Sequence, residues 1–367
     1  MKGKAAVFTE IGKPLEIREY PLPEVEPDAM LVQVTLANIC GSDLHFLKGH
    51  GPGVKGGIPQ ILGHEMVGKV YKLGKNFTTD SLGRPLQEGD RIAYAYFVPC
   101  GTCWACLSGT AACPNRYRYW LGVSCEEPPY FRGAFAQYYY LRSGQWVFKI
   151  PDELPDDVVS PINCALSEVI YGLHKIGIVL GDTVVIQGAG GLGLYATAVA
   201  REMGAGQVIV MDKLPARLEL AKAFGADLTI NVAEVGAEER RQMVLERTEG
   251  RGADVVAEFV GSPQVVEEGI EMLRYGGRYL LIGNINLGLK GEIDPAQLVR
   301  ATRTVMGIIV YEPWVIARAL QFLQRTQHKY PFSRIISHKF PLEEINEALE
   351  FARQGKSIRT SLLPHSS

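Results

Sequence analysis

The sequence has almost no net charge: 38 Lys and Arg against 40 Asp and Glu leave −2 over 367 residues. A chain so balanced lacks the positive field that would hold nucleic acid or an anionic membrane, and neither is expected as a partner. The opening MKGKAAVFTEIGKPLEIREY contains no secretory hydrophobic run, so no cleaved leader is expected. Long apolar runs are scarce too. The nearest, residues 183–200, is 18 uncharged residues with four glycines. It reads as a strand, a turn and a helix start, not as a membrane span. Cysteine is sparse, seven in all, and four of the seven crowd into fourteen positions. That is too local for a disulfide framework and predicts a reducing, cytoplasmic setting. Internal repeats and low-complexity segments are absent. What is plentiful is core material: 47% hydrophobic residues, with 13 Phe, 16 Tyr and 4 Trp. At about 150 residues per domain, this length predicts two or three domains.

The texture changes twice. Residues 1–165 carry short apolar segments (LVQVTL at 31–36, MVGKVY at 66–71, RIAYAY at 91–96) separated by Gly, Pro and Asp. That spacing predicts a β-rich barrel or sandwich with long loops. Over 166–309 the rhythm becomes strand and helix in alternation. Six apolar runs are candidate strands: VVIQ at 184, VIVM at 208, ADLTI at 226, ADVVAEFV at 253, RYLLIG at 278 and TVMGIIV at 304. Such runs, joined by charged amphipathic helices, are what a parallel sheet covered on both faces requires. The expected fold is therefore α/β, a doubly wound six-stranded Rossmann sheet. The tail, 310–367, ends in an amphipathic helix with Leu342, Ile345, Ala348 and Leu349 at helical spacing. It is too small to hold its own core and is expected to pack on the first region, leaving the nucleotide domain inserted in a discontinuous partner.

Gly188-Ala189-Gly190-Gly191-Leu192-Gly193 follows an apolar strand and opens a helix. The first glycine allows the tight turn, the second lets backbone approach a pyrophosphate, and the third lets helix and strand close up. The helix N-terminus then favours the anion. Asp212 lies nineteen residues beyond Gly193, at the end of the next strand. There a carboxylate accepts from the adenosine ribose hydroxyls and repels a 2′-phosphate, which favours NAD over NADP. Lys213 and Arg217 either touch the cofactor and soften that preference or are ordinary helix-surface charges.

Cys100, Cys103, Cys106 and Cys113 form C-x2-C-x2-C-x6-C, four thiolates able to wrap a zinc ion with no position left open, hence a structural site. A disulfide-bonded or empty lobe is the alternative. A nucleic-acid-binding zinc ribbon fits poorly, because Glu126 and Glu127 offset Arg116 and Arg118. Cys125 has no obvious partner and reads as a buried thiol. Three further candidates lie far apart: Cys40, His64 and Cys164. Two thiolates and an imidazole would leave zinc one open position, the catalytic arrangement. Singly, each is as readily a buried small residue or a core histidine. Their neighbours Ser42, Asp43, His45 and Glu65 are polar groups able to support a metal site.

Taken together, CGSDLH at 40–45, GHE at 63–65, the lobe CGTCWACLSGTAAC, NCALS at 163–167 and GAGGLG at 188–193 resemble the zinc-containing medium-chain alcohol dehydrogenase family. AAVF near the start and GAFAQY at 133–138 extend the likeness almost end to end. The resemblance implies a GroES-like catalytic domain (1–165 and 310–367) around an inserted Rossmann NAD-binding domain (166–309), in a homodimer or homotetramer joined at sheet edges near 301–310. It implies two zinc ions per chain, a catalytic one on Cys40, His64 and Cys164 and a structural one on the four-cysteine lobe. It also implies a proton relay from Ser42 through a cofactor ribose to His45. Two departures stand out. The last lobe gap is six residues where the family usually has seven, and Gly41 replaces a basic residue that some members carry.

The implied reaction is reversible hydride transfer between a primary or secondary alcohol and NAD, with the substrate oxygen on the open metal position. Asp43 either orients His64 or caps a helix, and Glu65 either serves the metal or pairs locally. Phe46, Tyr94, Tyr96 and parts of 116–131 are candidate pocket walls that favour an apolar or ring-bearing alcohol. Polyols, sugar alcohols and amino alcohols stay open as substrates, as does a non-catalytic NAD-sensing zinc scaffold.

Overall fold

The computed structural model describes residues 1–49, 57–116, 121–355 and 357–366. The chain divides into two compact units. One comprises residues 1–164, 312–327 and 332–367, the other 165–311 and 328–331.

The first unit opens with strands β1 (Lys2–Phe8), β2 (Glu16–Pro21) and β3 (Met30–Asn38), then helix α1 (Gly41–Phe46). Strands β4 (Gln60–Ile61), β5 (Glu65–Leu73) and β6 (Arg91–Tyr94) follow, then helix α2 (Trp104–Leu107). Strands β7 (Tyr138–Leu141) and β8 (Val147–Lys149) and helix α3 (Asp156–Val159) complete its first segment. In the second unit, α4 (Ser167–Ile176) leads to β9 (Thr183–Gln187), α5 (Gly191–Glu202), β10 (Gln207–Asp212) and α6 (Pro215–Ala223). Next come β11 (Leu228–Asn231), α7 (Ala237–Arg247), β12 (Ala253–Glu258) and α8 (Gln264–Glu271). Strand β13 (Leu273–Leu281), helix α9 (Pro295–Arg300) and strand β14 (Thr304–Gly307) close that unit. The chain then returns to the first unit with α10 (Trp314–Thr326), β15 (Ile336–Pro341), α11 (Ile345–Arg353) and β16 (Arg359–Leu363).

The second unit holds a parallel six-stranded sheet in the order β11-β10-β9-β12-β13-β14. Every residue of β9 and β12 is buried, because helices cover both faces of a doubly wound sheet. The strand order reverses direction between β9 and β12, which makes the C-terminal ends of those two strands the switch point. The first unit is β-rich, with a three-stranded sheet β2-β1-β4 and a seven-stranded one in which β16 pairs with β3. The tail thereby completes a sheet begun three hundred residues earlier, and its Leu342, Ile345, Ala348 and Leu349 are buried. This is an α/β fold, a Rossmann sheet inserted in a GroES-like β-rich domain.

Two boundaries differ from expectation. The strand expected from residue 278 begins at Leu273. Gly276, at φ +68, and the register shift opposite Ala253 and Val255 show a strand interrupted by a bulge, where the sequence reads as a helix end. The C-terminal helix starts at Ile345, because Lys339–Pro341 belong to β15.

Candidate active site

Separate stretches of the first unit deliver the donor atoms. Cys40 caps α1, its N–H donating to Asp43 Oδ2 at 2.8 Å. His64 follows Gly63, which has φ +85 and whose Cβ would stand 2.5 Å from the Phe135 ring. Only glycine fits that approach. Glu65 begins β5, in register with Asn38 of β3. Cys164 lies in a π-helical turn, Ile162–Leu166, ahead of α4; such widened turns recur at functional sites. One donor atom from each of Cys40, His64, Glu65 and Cys164 lies within 4.8 Å of the other three.

The surroundings fix this geometry. His64 Nδ1 is 3.4 Å from Asp43 Oδ1, so Nε2 is the ring nitrogen that can face the cluster. Asp43 thus stands at the first turn of the helix and beside the imidazole at once. The His64 carbonyl accepts from Tyr94 Oη and from Asn163 Nδ2, both at 2.8 Å. One Glu65 oxygen, Oε2, accepts from the Arg359 guanidinium. Among the described residues Oε1 is buried with no hydrogen-bond partner.

Charge is concentrated here. A hydrogen bond from Cys164 and the nearby His64 hold the Cys40 thiol well below its usual range despite burial. Burial works against a charged His64, yet Asp43 and Cys40 hold it well above its ordinary value. Burial pushes the Glu65 carboxyl up to about 7 against the pull of Arg359. Two thiols, an imidazole and an unsatisfied carboxylate oxygen, converging with Cys40 half-buried and the other three buried, are a donor set that zinc accepts.

In the lobe, Cys103–Cys106, Cys100–Cys113, Cys103–Cys113 and Cys100–Cys106 Sγ separations are 3.6, 3.6, 3.7 and 4.0 Å. Four sulfurs at about 2.3 Å from one zinc stand about 3.8 Å apart, whereas a disulfide needs about 2.05 Å. The six-residue gap thus closes a tetrahedral cage. Backbone donors from Thr102 and Cys103 bring the Cys100 thiol down to about 5, toward the thiolate that a metal takes. Cys125 is buried, 3.3 Å from the Tyr20 hydroxyl.

In the second unit the glycine turn has the shape a dinucleotide needs. Gly188 takes φ +98, and a Cβ on Gly193 would fall 1.8 Å from the Gly188 carbonyl. Gly190 faces open space except for Arg217 Nη1, 3.9 Å from where its Cβ would be. Gly191 and Leu192 open α5. Asp212 Oδ2 accepts from Ala189 N–H at 2.7 Å and Oδ1 from Leu214 N–H at 2.9 Å, so the carboxylate braces the turn from β10. Arg217 Nη1 stands 4.0 Å from Asp212, while Lys213 is exposed.

Ser42 and His45 lie three residues apart on α1, on one helix face, but neither belongs to the donor cluster. The Tyr96 ring packs 4.8 Å from the His64 ring, and Phe46 is nearly buried. Tyr94 is not a pocket wall. It is fully buried against Tyr139, with its hydroxyl on the His64 carbonyl. Within the aromatic stretch 116–131, residues 117–120 lie outside the described residues. Two participants escaped the sequence reading: Asn163, whose amide looks like any turn residue, and Arg359, 294 positions from its partner Glu65. Among the described residues no helix is long and apolar enough to cross a membrane.

The family model described as "Alcohol dehydrogenase GroES-like domain" matches residues 26–152, and that described as "Zinc-binding dehydrogenase" matches 191–325. A 5-exo-hydroxycamphor dehydrogenase of Pseudomonas putida is 33% identical over 357 residues, 97% of each chain. A sorbitol dehydrogenase of Bacillus subtilis is 31% identical over 96% of this chain and 94% of its own. The solved structure of an alcohol dehydrogenase from Thermotoga maritima superposes with a TM-score of 0.94 at 33% identity, covering 100% of both chains. With these likenesses spanning its whole length, the chain belongs to the zinc-containing medium-chain alcohol dehydrogenase family.

Proposed function

We propose that the chain is an NAD-linked, zinc-dependent alcohol dehydrogenase that acts on apolar, ring-bearing alcohols. The observation that carries this reading is the convergence of half-buried Cys40 with buried His64, Glu65 and Cys164 beside the Tyr96 ring. Zinc bound there would supply Lewis-acid chemistry to the alcohol oxygen, and bound NAD would supply the hydride acceptor. Cys40, His64 and Cys164 hold the metal, while Asp43 keeps the imidazole in the ligating orientation. Ser42 and His45, on their shared helix face, pass the alcohol proton toward water. Cys100, Cys103, Cys106 and Cys113 hold a second, structural zinc. Gly188, Gly190, Gly191, Leu192 and Gly193 seat the pyrophosphate, and Asp212 takes the adenosine ribose, with Arg217 and Lys213 beside it. The GroES-like domain (1–165, 310–367) is the catalytic one and 166–309 the NAD-binding one. The 5-exo-hydroxycamphor relative acts on a ring-bearing secondary alcohol, which supports the substrate class; the sorbitol relative keeps polyols as the competing one.

A panel of alicyclic, aromatic, polyol and amino alcohols, followed by NADH absorbance with NAD and NADP in parallel, tests this. The expected result is turnover of a cyclic or aromatic alcohol, faster with NAD, by protein holding two zinc ions per chain. Turnover of polyols alone, or of nothing with both zinc ions present, overturns it.

The same reading assigns the chain to a homodimer or homotetramer. Strand β14 is the sheet edge, and Val299, Val305 and Ile309 around it are exposed. An edge with apolar flanks invites pairing with a second copy. Light scattering should find a dimer or tetramer, and Val305→Lys should yield monomer. An oligomer indifferent to that change moves the seam elsewhere.

A further inference from the structure

Glu258, the last residue of β12, buries its carboxylate completely. Oε1 accepts the Gly261 N–H at 2.6 Å and Oε2 accepts Asn284 Nδ2 at 2.8 Å. Its main-chain oxygen accepts from Ile282 at 3.2 Å and Gly283 at 3.1 Å. Gly261 takes φ +78, and a Cβ on Gly283 would stand 2.6 Å from Gly261 N and 2.7 Å from Glu258 Oε1. One side chain thus clamps the loop after β12 to the loop after β13. The clamped loop also lies against the glycine turn: Phe259 N–H donates to the Gln187 carbonyl at 2.9 Å, and a Cβ on Gly188 would be 3.1 Å from Val260 Cγ2.

Burying a carboxylate costs several kcal/mol more than burying an amide. A brace with two donors facing it needs an acceptor at both ends, and a carboxylate offers two where an amide offers one. The location is what makes that cost informative. Ligands of open α/β sheets lie outside the C-terminal strand ends at the switch point, here between β9 and β12. The glycine turn after β9 and Asp212 at the end of β10 occupy the adenosine side. The loops after β12 and β13 are left for the other half of the dinucleotide.

We propose that Glu258, acting through Gly261 and Asn284, is a positioning residue that sets the surface on which the nicotinamide half of the cofactor rests. This rests on the dinucleotide reading above. Glu258→Gln turns an amide nitrogen toward one of the two donors and releases one loop. Asn284→Asp sets two carboxylates face to face. The double variant restores the link between the two loops: the introduced amide donates to the introduced carboxylate, its oxygen still accepts from Gly261, and only the longer 3.4 Å bond from Asn284 Nδ2 to the Ser262 carbonyl is given up.

The four proteins are titrated calorimetrically with NADH and with AMP, which carries only the adenosine half. Each single variant should bind NADH about tenfold more weakly. AMP binding should stay within about twofold, and the double variant should return to within about threefold of the parent for NADH. Equal losses for NADH and AMP overturn the proposal in favour of a general brace, as do unchanged singles or an unrescued double. Should Glu258→Gln fail to fold, the half-buried Asn284→Asp carries the same NADH-against-AMP comparison. A parent protein that binds neither ligand refutes the dinucleotide reading itself, a result distinct from any of these.

Discussion

Cys40→Ala should abolish alcohol oxidation, lowering kcat/KM by about a thousandfold or more, while NADH binding and the overall fold persist. A metal acting as Lewis acid supplies several kcal/mol of charge stabilisation, and each 1.36 kcal/mol is tenfold in rate. The Cys40 thiol is held well below its usual range by Cys164 and His64, so removing it takes away a donor poised as thiolate. The turn Gly188–Gly193 and Asp212 belong to the other compact unit and keep their geometry. Elemental analysis should find one zinc per chain in place of two, the survivor being that of the four-cysteine lobe. Cys125→Ala serves as the control, since that buried sulfur lies against the Tyr20 hydroxyl and belongs to neither donor cluster, and it should keep both metals and full turnover. Turnover by Cys40→Ala protein that holds a single zinc would remove this cluster from the chemistry.

Why these centres were legible in the sequence, and others not, follows from how far apart their residues lie. The lobe is a local object: four thiols in fourteen positions meet whatever the rest of the chain does, and their spacing alone predicts a cage. The glycine turn is local too, since the clash awaiting a Cβ at Gly193 comes from Gly188, five residues away. Cys40, His64 and Cys164 meet only through tertiary structure; residue type and neighbours made them candidates, and it took resemblance to join them at one metal. Their immediate neighbours carried part of the signal, for Asp43 meets both groups weighed for it, accepting the Cys40 N–H and standing 3.4 Å from His64 Nδ1. Tyr94 was misread because an aromatic in a strand has the same pattern whether it lines a cavity or donates to a buried carbonyl. Strand β13 was truncated because LRYGG ends a helix as plausibly as it bulges a strand. Arg359 was invisible for a different reason. Nothing in RTSLL marks its arginine as buried, and the carboxylate that makes burial tolerable arrives from β5.

That pairing supports a second large effect, Arg359→Met, which should destabilise the protein by about 3–5 kcal/mol. Both partners are out of water, Arg359 at 6% exposure and Glu65 at 0%. Removing the guanidinium strands a carboxylate whose other oxygen already lacks a hydrogen-bond donor among the described residues. Glu65→Gln alone strands the cation instead. The double variant Arg359→Met with Glu65→Gln buries no unpaired charge and should regain most of the loss, so the cycle isolates the pair. The pH dependence has a definite sign. Glu65 titrates near 7 in the folded chain against 4.5 for the free side chain, so folding favours its protonated form. This contribution is complete below about pH 4.5 and is lost as pH rises through about 7. Without Arg359 the folded value climbs further, because the chief pull opposing burial is gone. Arg359→Met should therefore keep losing stability above pH 7, where the parent has levelled off, and the gap in Tm should widen from pH 6 to pH 9 in thermal melts. A gap constant across that range, or a double variant no more stable than Arg359→Met alone, would show that the buried pair does not hold this corner of the site together.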